Sequence, residues 1–69
     1  MSFCNLQRSN LRGASFFRVK LGGADLSGAD IAGADFTEAD LDGTIFRDVK
    51  GFAEAKGFDR AENFDKIVR

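Results

Sequence analysis

The chain has no histidine, no proline, no tryptophan or tyrosine, and a single cysteine. Without histidine, the commonest general base and the commonest zinc ligand are both missing. One cysteine cannot build a disulfide framework or a thiolate cluster. No apolar run exceeds a few residues, which excludes a membrane-crossing helix. The opening Met1-Ser-Phe-Cys-Asn-Leu-Gln-Arg lacks the basic-then-apolar layout of a secretory leader. A large excess of one charge is absent too, and a net charge of −1 argues against general nucleic-acid binding. What remains is 69 residues, 43% apolar and 30% charged, enough for one small soluble globular unit. A chain this short struggles to bury a sufficient core unless its architecture is unusually regular.

Regularity is what the sequence has most of. A large apolar residue returns every five positions: Leu6, Leu11, Phe16, Leu21, Leu26, Ile31, Phe36, Leu41 and Phe46. Two residues before each stands a small or β-branched one: Cys4, Ser9, Ala14, Val19, Ala24, Ala29, Ala34, Ala39 and Thr44. Between them lies a mostly polar position: Asn5, Asn10, Ser15, Lys20, Asp25, Asp30, Asp35 and Asp40, broken only by Ile45. Glycine follows the large residue by two at Gly13, Gly23, Gly28, Gly33 and Gly43.

A period of five matches neither the 3.6 of a helix nor the 2.0 of a strand. It suits a chain that turns a corner every five residues. The small and large residues point inward, as alternate residues of an extended piece do, and the polar one points out. Glycine then supplies the positive φ that a tight turn requires. Four corners close a coil of twenty residues, and successive coils pair edge to edge at about 4.8 Å.

The units Ala24-Asp-Leu-Ser-Gly, Ala29-Asp-Ile-Ala-Gly, Ala34-Asp-Phe-Thr-Glu and Ala39-Asp-Leu-Asp-Gly resemble the A(D/N)Lxx repeats of the pentapeptide-repeat family. The resemblance covers roughly residues 2–50, with Lys20 and Ile45 in place of Asp or Asn and Val19 in place of alanine. It implies an all-β solenoid, a right-handed quadrilateral parallel β-helix, with the handedness resting on the resemblance alone. In a twenty-residue coil, Leu6, Leu26 and Phe46 share one face, and Leu11 and Ile31 the next. Phe16 and Phe36 share the third and Leu21 and Leu41 the fourth. Residues 1–50 thus form about two coils, and a solenoid this short needs capping.

At Gly51 the period changes to six: Phe52, Phe58 and Phe64, with Ala55, Ala61 and Ile67 three after each. The preceding Gly51, Gly57 and Asn63 are the types that best tolerate left-handed backbone. Each hexad reads as one short helical turn, over residues 52–56, 58–62 and 64–68. One continuous amphipathic helix is the other reading, disfavoured by two glycines at about 1 kcal/mol each. Either way, residues 51–69 are expected to form a helical C-terminal cap over the core, with Phe52, Phe58 and Phe64 as its apolar stripe.

No comparable cap precedes the first coil, and exposed strand edges template pairing with another chain. That end is covered by a partner, by a second copy, or by sequence lost from a longer protein. Phe3, Phe17 and Ile45 fall on outward positions, and exposed aromatics are enriched at interfaces. Charge is uneven: residues 1–23 carry Arg8, Arg12, Arg18 and Lys20 with no acid, residues 24–48 carry −6, and residues 49–69 carry +1. Lys20 stands over Asp40, so part of this polarity is neutralised internally. The candidate interaction residues are Phe3, Arg12, Phe17 and Arg18.

Catalytic and metal readings find little support. Asp25, Asp30, Asp35 and Asp40 diverge onto four faces, so they form no shared coordination sphere and are expected to bond backbone at corners. Leu21-Gly-Gly-Ala-Asp-Leu resembles a calcium-binding nonapeptide, but the period of nine is absent. Cys4 fills an inward slot with no histidine to activate it, and no phosphate-cradling glycine loop appears. The expectation is therefore no enzyme activity, no cofactor, no metal, no small-molecule substrate, no nucleic acid and no membrane insertion.

The expected function is a structural or protein-interaction module docking through its N-terminal coil, as a small subunit of a larger assembly. Family members are common in cyanobacteria and plastids, so the resemblance extends to a photosynthetic-membrane partner and a thylakoid-associated or lumenal location, beside a cytoplasmic one. The resemblance also implies an alternative, because some members mimic duplex DNA and bind DNA gyrase. The ring of aspartates fits that alternative; the short stack and the basic first coil oppose it.

Overall fold

The computed structural model describes residues 3–69, and the first two residues of the expected 1–50 repeat unit lie outside that range. Each repeat folds by the same local rule. In Ala24–Gly28 the carbonyl of Leu26 accepts from the Ala29 amide at 2.9 Å, closing a turn whose third residue, Gly28, has φ of 72°. Positive φ at that place is what such a turn demands. The same left-handed corner recurs every fifth residue, on glycine at 13, 23, 28, 33 and 43, but on Arg8, Arg18, Glu38 and Asp48 as well.

Between corners one residue per repeat forms a parallel bridge twenty residues onward: Asn5 with Asp25, Asn10 with Asp30, Ser15 with Asp35 and Lys20 with Asp40. Asp25 with Ile45 and Asp30 with Lys50 continue the interval. These are isolated bridges, and no longer strand occurs among the described residues, because a corner every five residues leaves room for only one bridged residue between turns. The corners are tied as well, Gly13 N–H donating to Ala32 O at 3.0 Å and Gly23 N–H to Asp42 O at 3.0 Å. The chain is a β-helix-type solenoid whose successive circuits are held by hydrogen bonds at both sides and corners.

The core lies on the axis of the second circuit. Leu21, Leu26, Ile31, Phe36 and Leu41 are fully buried, with Ala24, Ala29, Ala34 and Ala39 between them. Phe46 and Phe16 join them, whereas Leu6 and Leu11 are only half-buried. Thr44 is the one buried polar residue among those described; its hydroxyl donates to Leu21 O at 2.7 Å.

Residues 51–69 contain three 3₁₀ turns, Phe52–Glu54, Phe58–Arg60 and Phe64–Lys66, each preceded by a left-handed residue: Gly51, Gly57 or Asn63. A continuous helix is thereby excluded. The turns are shorter than the five residues expected, because the residue closing each hexad is extended and paired with the circuit before it. Lys56 N–H donates to Ala34 O at 2.7 Å, and Lys56 O accepts from Phe36 N–H at 2.8 Å. The segment therefore continues the ladder. Each hexad adds one residue to the interval, which reaches twenty-one at Asp35 with Lys56, twenty-two at Asp40 with Glu62, and twenty-three at Ile45 with Val68. Ile45, at the bridged position that the aspartates hold in the four preceding repeats, is half-buried as they are.

Candidate functional site

In a parallel bridge, both the N–H and the C=O of one residue point to the same neighbouring strand. Asp25 shows it: its amide donates to Cys4 O at 2.9 Å and its carbonyl accepts from Leu6 N–H at 2.8 Å. The equivalent groups of Asn5, Asn10, Ser15 and Lys20 face away from the second circuit. Among the described residues they meet no backbone partner. The first circuit thus presents four residues, each offering one donor and one acceptor at the open end. Inside this ring lie Cys4, Leu6, Leu11, Ala14 and Val19, all half-buried against the core.

The side chains expected to mark an interface are distributed over successive corners of this circuit. Phe3 is 85% exposed, its ring lying over Gly23, and Phe17 is 46% exposed. The Arg18 guanidinium sits 5.0 Å from the Phe17 ring centroid, a cation–π arrangement, while its Nε reaches Glu38 Oε1 at 3.4 Å. Arg12 Nε lies 3.9 Å from Asp30 Oδ2. Phe17 and Arg18 are brought together; Arg12 and Phe3 stand at other corners. Both arginines lean toward the acidic second circuit, so their two charges are drawn away from the open edge, which keeps Lys20.

The outward aspartates are occupied in turns. Asp25 Oδ1 accepts from the amide of Ser27 at 2.9 Å and its hydroxyl at 2.6 Å, and Asp35 Oδ1 accepts likewise from Thr37 at 3.0 and 2.5 Å. Asp30 and Asp40 accept from the amides of Ala32 and Asp42, and Asn5 and Asn10 do the same for Gln7 and Arg12. The Ser27 and Thr37 hydroxyls, with the amides behind them, hold the Asp25 and Asp35 carboxyls below the usual carboxylate range. Asp40 is lowered chiefly by the Asn63 side-chain amide, which donates to it at 2.9 Å.

One feature was not visible in the sequence. A groove of about 270 Å³ runs along one face, lined by Arg18, Lys20, Glu38, Asp40 and Glu62. Its mixed charge gives no anion or cation site, and among the described residues no carboxylates cluster with metal-binding geometry. Lys20 over Asp40 was legible from the period of five; Glu62 was not, because it arrives through the lengthened interval.

Among the described residues no helix is long and apolar enough to cross a membrane. A family model described as pentapeptide repeats matches residues 1–31 and 9–48, with eight copies. Neither a curated protein nor a solved structure matches the chain.

Proposed function

Since the chain belongs to the pentapeptide-repeat family, we propose that it is a non-catalytic structural module that docks to another polypeptide through the open edge of its first circuit. The accompanying fold reading is a right-handed quadrilateral β-helix: four bridges per twenty residues with a left-handed corner between each pair support the four sides, and the family resemblance carries the hand.

One observation carries the docking reading. Among the described residues, the backbone donor and acceptor of Asn5, Asn10, Ser15 and Lys20 meet no backbone partner, around a half-buried apolar ring of Leu6 and Leu11. An edge of this kind favours strand addition, in which backbone hydrogen bonds give affinity and side-chain contacts give specificity. Phe3, Phe17, Arg12 and Arg18 would border the contact.

The test is the double variant L6D/L11D, which puts two charges inside the ring. Far-UV circular dichroism shows whether it folds, and light scattering shows whether it associates. A folded variant that loses every association of the unchanged chain supports docking at this edge. A folded variant that associates as before refutes it.

A further inference from the structure

We draw no further inference here: the strongest candidate, the mixed-charge groove lined by Arg18, Lys20, Glu38, Asp40 and Glu62, is no built site, because Arg18 is taken by Glu38 and Asp40 by Asn63, and nothing in the structure shows what would fill it.

Discussion

Phe16 and Phe36 stack with ring centroids 5.0 Å apart and planes 5° from parallel, twenty residues apart in the chain. Phe58 continues the column on the other side of Phe36 at 4.9 Å, and Phe46 meets the Phe36 ring edge-on at 5.7 Å. Phe36 is thus enclosed by an aromatic neighbour from each circuit, and it is fully buried. Truncating such a residue loses its transfer energy and leaves a cavity that stacked circuits cannot easily collapse. F36A should cost about 3–5 kcal/mol, most of the stability a chain of this length has. F36L should cost about 1–2 kcal/mol, since most of the volume is retained. Urea unfolding followed by circular dichroism separates them: F36L with a lowered midpoint, F36A largely unfolded without denaturant.

That column was readable from the sequence at one end and not at the other. A period of five with a twenty-residue coil places Phe16 on Phe36 by arithmetic alone. Phe58 reaches the same column by a different route, through an interval that lengthens by one residue per hexad. The left-handed residues Gly51, Gly57 and Asn63 were readable because their residue types tolerate positive φ. The corners at Arg8, Arg18 and Glu38 were not marked, since their side chains do not favour it and the ladder imposes it. The site follows the same division. The open edge follows from the coil, but the lean of Arg12 and Arg18 onto the second circuit depends on side-chain packing that no spacing encodes.

The two kinds of glycine corner should respond differently to a methyl group. At Gly13, φ is +70° and a Cβ meets nothing within 4 Å, so only backbone strain opposes substitution. G13A should therefore cost about 1 kcal/mol. At Gly57, φ is +84° and a Cβ would fall on the backbone amide and hydroxyl of Thr37. Relief requires moving two hydrogen-bonded circuits apart, and G57A should cost about 3 kcal/mol or more. Paired thermal melts check the ranking; equal losses would mean that the hexad corners do not sit closely on the second circuit.

Thr44 occupies an inward slot that alanine fills in the four preceding repeats, and it is fully buried. Its hydroxyl donates to the Leu21 carbonyl at 2.7 Å, which also accepts from the Ala24 amide at 2.8 Å. Removing the hydroxyl therefore leaves no orphaned acceptor. T44V, which keeps the shape, should cost about 1 kcal/mol, the net value of one hydrogen bond. A loss of about 3 kcal/mol on denaturant unfolding would show instead that the Leu21 carbonyl needs both partners.

Acid should destabilise the fold through its turn aspartates. Asp25, Asp35 and Asp40 have carboxyls lowered by hydrogen bonds, from Ser27, Thr37 and Asn63 first. A lowered native pKa means the unfolded chain binds protons more readily, so stability rises with pH across that range. The contribution is complete above about pH 5 and is lost as pH falls through the lowered native values, below about pH 4. Melting temperatures recorded between about pH 7 and pH 2.5 should stay level and then drop. In S27A/T37A the hydroxyl donors to Asp25 and Asp35 are gone while the backbone amides remain. The double variant should therefore melt lower at neutral pH and fall less steeply in acid, its curve converging on that of the unchanged chain. Parallel curves would show that these carboxylates are not what couples folding to protons, and that the loss in acid comes from general charge repulsion.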